Sequence, residues 1–198
     1  MQLSAALAFA VVAASAAPTA VAAQDWQLDK SHSTIGFTVR HLGFAKVNGR
    51  FKRFDAQVQA DSKTGKITAL SATAQAASVD TDNAKRDKHL RSDDFFAAKK
   101  HPMMKLKLKS IKWQGNAFTA KVALTLRGVT KTVTFKGELL GKHKVNFGSG
   151  DQLRVGYEAE ASINRKDFGL KFGKVAEGVS VVSDTVKIKL DAEFSKAL

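Results

Sequence analysis

Residues 118–127 read FTAKVALTLR and alternate apolar with polar side chains. Phe118, Ala120, Val122, Leu124 and Leu126 fall on one face of an extended strand, and the basic and hydroxyl side chains fall on the other. One apolar and one polar face is typical of a strand in an antiparallel sheet, which packs against a core on one side and meets water on the other.

The same period of two recurs along most of the chain. Clear examples occupy residues 35–39, 104–109, 133–139, 153–163 and 186–194, and weaker ones occupy 51–60 and 67–79. Glycine-containing turn sequences separate these segments, at 63–66, 114–116, 127–128 and 147–150. About eight antiparallel strands joined by short turns predict an all-β domain, either an eight-stranded barrel wide enough for one small ligand or a sandwich.

Residues 82–102, DNAKRDKHLRSDDFFAAKKHP, break this pattern. Asp82 or Asn83 can cap a short helix that runs to about Arg91, and Ser92 can cap a second helical turn that ends before Pro102. We expect this helical insert to form a flap over the mouth of the barrel.

The composition limits the possible functions. The chain has 198 residues, no Cys, and 32 Lys and Arg against 18 Asp and Glu, which gives a net charge of +14. One domain without disulfides or thiolate metal sites is therefore expected. Residues 1–23 carry no charged side chain and are rich in Ala and Val, so we expect a cleaved signal peptide there and a mature domain over 24–198. A retained membrane anchor is the alternative, and the weak hydrophobicity of the stretch disfavours it.

The positive charge indicates the class of partner. A basic exported protein rarely meets nucleic acid, so anionic ligands and anionic membrane surfaces are the expected partners. Lys105, Lys107, Lys109, Lys187 and Lys189 lie on the polar faces of strands. They are either solvated outer charges that discourage edge pairing or a basic stripe that holds the protein near lipid head groups.

Catalytic and metal motifs are missing from the sequence. The five histidines are scattered and form no pair at metal-ligand spacing, and no nucleophile elbow or glycine-rich phosphate loop occurs. We therefore expect no enzyme activity, no metal and no cofactor, apart from a bound lipid.

The alternation and the insert supply the candidate binding residues. Small inward residues, Ala120, Ala159, Ala161 and Ala192, suggest room for a guest, unless larger side chains opposite them fill the space. The predicted apolar contacts are Phe37, Phe95, Phe96, Met104, Leu106, Phe118, Val122, Phe135, Tyr157 and Phe168. The predicted head-group and gate residues are Arg86, Asp87, His89, Arg91 and Arg165. The insert residues among these can instead form a polar network that fixes the insert, with Phe95 and Phe96 as a plug.

Several separated motifs occur in the order found in one family, and the chain resembles the YceI-like family of exported lipid-binding proteins across about residues 24 to 196. The most specific motif is RDKHLRSDDFF at 86–96, followed by HP at 101–102. The others are WQLDKSHS at 26–33, IGF at 35–37, GRF at 49–51, SVDT at 78–81, LTLRGVTK at 124–131 and RKDFG at 165–169.

The resemblance implies a lipocalin-like, eight-stranded antiparallel barrel in the periplasm, with a long apolar cavity for a polyprenyl chain, an isoprenoid quinone or a fatty-acid-like amphiphile. The sequence thus predicts a non-catalytic lipid carrier or sequestering protein. Two alternatives remain: a basic module with a filled barrel that binds anionic membranes or polymers, and a barrel enzyme that acts on a bound lipid. A homodimer is also left open.

Overall fold

The computed structural model describes residues 26–148, 150–176 and 178–198. The predicted signal peptide, residues 1–23, therefore lies outside the described residues, as does Ser149 of the predicted turn at 147–150. Within the described ranges, no helix combines the length and the apolar composition that crossing a bilayer requires.

Most of the described chain is antiparallel strand, because its sequence alternates with period two. The strands are β1 (Gln27–His41), β2 (Ala45–Phe51), β3 (Phe54–Ala60), β4 (Ile67–Gln75), β5 (Val79–Asp80), β6 (Met103–Gln114), β7 (Ala117–Leu126), β8 (Val129–Asn146), β9 (Asp151–Asn164), β10 (Val175–Ala176), β11 (Val179–Ser180) and β12 (Thr185–Ala197). The helix α1 covers Ala84–Leu90, and short 3₁₀ helices cover Ala76–Ser78 and Arg165–Phe168.

Ten strands form one curled sheet in the order β3-β4-β6-β7-β8-β9-β12-β1-β2-β5. Trp26 joins the start of β1 to β3, because it bridges to Val58 and its indole N–H donates to the Ala60 carbonyl at 3.2 Å. An ion pair between Lys30 and Asp55, 2.8 Å apart, links the same two strands. The sheet thus curls into an antiparallel barrel, which confirms the predicted fold class and excludes the sandwich.

The curled sheet has ten strands rather than the predicted eight for two local reasons, and β10 and β11 pair with each other in a separate two-stranded sheet. Exposed residues Lys52 and Arg53 interrupt a continuous run into β2 and β3, and the two-residue β5 adds an edge pairing to β2. The inward faces follow the alternation closely. In β7 all five predicted inward residues are buried, and Thr119 and Lys121 on the opposite face are exposed.

The two ends of the barrel are built differently. The turn between β3 and β4 closes one end, where the Tyr157 hydroxyl donates to the Gly65 carbonyl at 2.5 Å and Lys142 Nζ donates to the Ser62 carbonyl at 3.1 Å. The segment that contains α1 lies at the other end, because β4 runs away from this turn and leads into that segment.

The helical insert is only partly as predicted. The Asn83 side chain accepts a hydrogen bond from the Arg86 N–H at 3.0 Å, so the predicted cap of α1 is confirmed. The predicted second helical turn is wrong, because residues 92–100 form successive turns instead. The Ser92 hydroxyl accepts from the Asp94 N–H at 3.3 Å, and Ala97 adopts a φ of 46°, which a continuing right-handed helix does not allow.

A close approach between β7 and β8 fixes the position of a large aromatic side chain. A Cβ atom on Gly137 would clash with the backbone carbonyl oxygen of Glu158 on β9, and it would lie 2.6 Å from Cζ of Phe118 and 2.8 Å from Cβ of Ala159. Glycine at 137 therefore lets the Phe118 ring approach β8 closely, and the ring occupies the place that a side chain at 137 would fill.

We expect Gly137→Ala to lower the free energy of unfolding by about 1–3 kcal/mol, because the added methyl group clashes with the Glu158 carbonyl oxygen on β9 and with the Phe118 ring. Urea denaturation measures the change. Gly156→Ala is the matched control on the neighbouring strand, since a Cβ there would meet Leu140 at an ordinary 3.8 Å. Equal stability of the two variants would contradict the packing argument.

Candidate functional site

The barrel encloses a cavity of about 670 Å³. This volume lies within the range of roughly 300–1,000 Å³ that is common for small-molecule sites. Inward side chains of nine strands line the cavity, and α1, the turns after it and the segment between β9 and β12 contribute the rest. The wall is predominantly apolar, so the cavity is suited to hydrocarbon.

Small residues keep this space open. Ala56 and Ala72 pair across β3 and β4, and Ala72 also pairs with Leu106 of β6. Of the small inward residues predicted from the sequence, Ala120, Ala159 and Ala192 line the cavity. Ala161 is buried in the core but is not among the lining residues. Among the described residues, large side chains opposite these alanines therefore do not fill the interior of the barrel.

Nine of the ten apolar residues predicted as ligand contacts line the cavity: Phe37, Phe95, Phe96, Met104, Leu106, Phe118, Val122, Phe135 and Tyr157. The tenth, Phe168, does not line it. Phe168 is 1% exposed, because the 3₁₀ helix after β9 directs its side chain into the packed core.

Sequence reasoning missed several lining residues. Phe51 ends β2 in a segment whose alternation is weak, and Phe172 lies in the irregular segment after β9. Ile188 and Leu190 of β12 also line the cavity. The alternation in 186–194 was the signal that could have identified these two, because it placed both on the inward face.

Aromatic rings surround the mouth of the cavity. The His89 ring meets the rings of Phe95 and Phe172 edge to face, with both centroid distances at 5.0 Å, and the Phe95 and Phe172 centroids are 4.9 Å apart. Phe96 meets Phe51 edge to face at 5.5 Å. The two adjacent phenylalanines therefore connect the insert to β2 and to the segment after β9.

A polar network holds the insert in place. The buried Asp87 carboxylate accepts from the N–H and the hydroxyl of Thr81, at 2.9 and 2.6 Å. Arg91 donates to the carbonyl oxygens of Ala77 and Val79, at 2.7 and 2.8 Å. Neither Asp87 nor Arg91 lines the cavity. Their contacts fix the insert against β5 and the segment before it.

Arg86 and His89 face the cavity from the same insert. Arg86 donates from Nε to the Thr81 hydroxyl and from Nη2 to the Thr81 carbonyl, both at 2.7 Å. No bond from its Nη1 atom to another described residue is recorded. His89 Nε2 lies 2.8 Å from an Asp94 carboxylate oxygen. Thr81 therefore fixes the position of the Arg86 guanidinium, and the Nη1 edge of that group is available to a ligand.

Arg165 also borders the cavity, but the protein uses most of its hydrogen-bonding capacity. It is 3% exposed and donates to the carbonyls of Leu170 and Ser183 and to the Asp184 carboxylate, at 2.6, 3.0 and 2.9 Å. Arg165 therefore ties together the segment between β9 and β12.

This architecture matches known proteins. The model of the YceI-like domain matches residues 26–194. Protein YceI of Escherichia coli O157:H7 is 38% identical over 170 residues, which cover 84% of this chain and 87% of that protein.

The chain belongs to the YceI-like family.

Solved structures share the fold. The Campylobacter jejuni YceI protein has a TM-score of 0.70 at 30% identity, over 87% of this chain and 98% of that one. A polyisoprenoid binding domain from Saccharophagus degradans, implicated in plant cell wall breakdown, has a TM-score of 0.56 at 15% identity, over 87% of this chain and 98% of that one. At this identity the second likeness concerns the fold alone.

The first motif of the YceI-like resemblance, residues 26–33, builds an irregular strand. The pairing of β1 with β12 shifts between Asp29 and Thr34. Asp29 Oδ1 accepts from the backbone N–H groups of Ser31 and His32, at 3.0 and 3.3 Å, and the Ser33 hydroxyl accepts from the Glu193 N–H at 3.0 Å. These side chains satisfy the backbone where the regular ladder is interrupted.

Asp29, His32 and Glu193 come close enough to hold a metal ion, a cluster that the sequence did not predict. Arg154 occupies the middle of it, since its Nη1 atom donates to Asp29 at 2.9 Å and also to Glu193. The guanidinium already bonds both carboxylates, so the donor set fits an ion-pair network rather than a cation site. Hydrogen bonds from His32 and Arg154 hold the pKa of Asp29 well below its usual range.

The ion-pair network makes stability depend on pH. Because the folded pKa of Asp29 is lowered, its contribution is present above the unfolded value of 3.8 and is lost as the pH falls through the folded value. We expect Asp29→Asn to lower the Tm at pH 7, and the gap to wild type to narrow below about pH 4.

Thermal melts at a series of pH values measure this gap. Asp191→Asn on β12 is the matched control. The ion pair of Asp191 with Lys189, at 3.5 Å, is longer than that of Asp29 with Arg154, at 2.9 Å, so this variant should change the Tm less. Parallel curves for wild type and Asp29→Asn down to about pH 2 would show that the Asp29 charge contributes nothing to stability.

Proposed function

We propose that this chain is an exported, non-catalytic carrier or sequestering protein that binds one long-chain isoprenoid lipid, either a polyprenyl phosphate or an isoprenoid quinone, in the barrel lumen. The observation that carries the proposal is the apolar cavity of about 670 Å³, with Arg86 at its mouth. A hydrocarbon tail fits the apolar wall, and an anionic or polar head fits the end where Arg86 and His89 lie.

Membership of the YceI-like family supports this assignment, and so does the shared fold with the polyisoprenoid binding domain of Saccharophagus degradans. The uncharged, Ala-rich residues 1–23 support export by a signal peptide and a periplasmic location.

The lumen is better suited to binding than to catalysis. Ser33, Thr81 and Tyr157 are among the residues that line the cavity, and the hydroxyl group of each forms a hydrogen bond within the protein. Burial also raises the pKa of Tyr157, which keeps its phenol neutral. Engaged, uncharged hydroxyls stabilise the wall and do not present an activated nucleophile.

The tail of the ligand should supply most of the affinity. Each buried CH₂ group contributes about 0.8 kcal/mol, whereas one charge-assisted hydrogen bond contributes about 1.5–3 kcal/mol. Several isoprene units therefore outweigh the head-group contact, although ordering the chain reduces the net gain. Chain length would control affinity, and the head group would control orientation.

The lumen assignment is tested by placing a charge inside the barrel. Leu106 lines the cavity, and the next residue, Lys107, is exposed on the outer face of β6. We expect Leu106→Asp to weaken binding of a polyprenyl phosphate about 100-fold or more, because a carboxylate beside hydrocarbon loses its hydration.

Quenching of the intrinsic tryptophan fluorescence, or displacement of a fluorescent fatty acid, measures this affinity. Lys107→Asp is the matched control and should change affinity by less than about threefold, because its carboxylate stays in water. A folded Leu106→Asp variant with wild-type affinity would overturn the lumen as the binding site.

The role of Arg86 is tested by comparing two ligands. We expect Arg86→Gln to weaken binding of a polyprenyl phosphate about tenfold and to leave binding of a neutral isoprenoid quinone nearly unchanged. Arg91→Gln is the control, since Arg91 bonds backbone carbonyls away from the cavity and should lower the Tm without changing the ratio of the two affinities. Equal losses for both ligands in Arg86→Gln would mean that Arg86 only fixes the insert.

A further inference from the structure

Two loops lie side by side at the mouth of the barrel. The turn between β1 and β2 meets the segment that follows β11, because the Leu42 N–H donates to the Val181 carbonyl at 3.2 Å and His41 bridges to Val182. Val181 and Val182 line the cavity. The turn at 42–44 and the paired strands β10 and β11 therefore form a common edge beside the cavity opening, which we name the mouth rim.

Exposed apolar side chains concentrate on this rim. Phe44 is 81% exposed, Val175 59% and Val179 45%. These are three of the seven large hydrophobic residues that are exposed in the described chain. Apolar side chains at the tips of adjacent loops, with no protein to cover them, mark a contact surface rather than a core.

Cations flank the apolar tips. Lys46, Lys171 and Lys174 are exposed, and no ion pair with another described residue is recorded for them, whereas Lys166 nearby pairs with Asp184 at 2.7 Å. Residues 40–46 and 171–180 together contain four Lys and Arg and a single acidic residue, at 177. The mouth rim therefore combines apolar tips with an excess of positive charge.

We infer that the mouth rim docks on the surface of an anionic phospholipid bilayer. Apolar side chains that insert at the head-group level, among lysines that face lipid phosphates, are the combination that holds peripheral proteins at such surfaces. Docking there points the cavity opening at the membrane, so a hydrocarbon tail passes between bilayer and lumen without crossing water. The role of docking in lipid transfer rests on the proposed function, whereas the binding of the mouth rim to a bilayer does not.

The test is flotation of the mature protein with vesicles of phosphatidylcholine that contain about one quarter phosphatidylglycerol. The charge variant combines Lys46→Gln, Lys171→Gln and Lys174→Gln, and the apolar variant combines Phe44→Ser, Val175→Ser and Val179→Ser. We expect each to lower the partition coefficient about tenfold or more. Wild-type binding should fall strongly on pure phosphatidylcholine vesicles.

The matched control removes the same charge from the barrel wall, through Lys105→Gln, Lys107→Gln and Lys109→Gln. This variant should change partitioning by less than about threefold if the rim carries the contact. An equal loss in the wall and rim variants would assign binding to the overall charge and overturn the inference, as would wild-type binding by the apolar variant. Unchanged circular dichroism spectra establish that all variants are folded.

The same variants distinguish membrane docking from dimerisation through the rim and from failure of the proposed function. Dimerisation that Phe44→Ser abolishes, without vesicle binding by the wild type, would assign the rim to a second copy of the chain and overturn docking. A titration with a polyprenyl phosphate in the absence of vesicles, followed by quenching of tryptophan fluorescence, tests the proposed function separately, because the rim variants leave the lumen intact. Vesicle docking without lipid uptake would overturn the proposed function and leave the rim in place.

Discussion

When an antiparallel sheet curls into a barrel, every second side chain of every strand points into the same space. The sizes of these side chains determine whether the space is filled. Here Gly137 and Gly49 let the rings of Phe118 and Phe37 lie against neighbouring strands, and Ala56, Ala72 and Ala192 leave gaps between larger residues. The cavity, the mouth and the proposed ligand all depend on this mixture of small and aromatic inward residues.

The two ends of the barrel give the cavity a direction. At one end the β3–β4 turn packs on Tyr157, whose hydroxyl is satisfied by the Gly65 carbonyl, so the apolar wall ends in a closed floor. At the other end a network of Asp87, Thr81 and Arg91 holds the insert, and the insert presents Arg86 and His89 to the cavity. An amphiphile with its tail toward the floor would place its head beside the cation.

Local patterns in the sequence predicted much of this structure. Alternation identified the inward faces, and the glycine-containing sequences identified the turns at 63–66, 114–116 and 127–128, because both signals depend on a few neighbouring residues. The helix cap at Asn83 was predictable for the same reason. The second helical turn was not, because the positive φ of Ala97 depends on how the segment is anchored at both ends.

Features that depend on contacts between distant residues could not be predicted from the sequence. Asp29, Arg154 and Glu193 belong to three strands that are distant in the chain, and only the pairing of β9, β12 and β1 in the sheet brings them together. Phe51 and Phe172 reach the mouth from segments with weak or no periodicity, and Phe168 turns into the core because a 3₁₀ helix follows β9. Composition and local pattern carry no information about such long-range placement.

Native mass spectrometry of the protein, purified without detergent from its own cell envelope, tests the central claim most directly. The account predicts one additional mass per chain that survives high salt and is released on denaturation as a single long-chain isoprenoid lipid. A bare polypeptide mass, unchanged after incubation with polyprenyl phosphates, isoprenoid quinones and fatty amides, would contradict it.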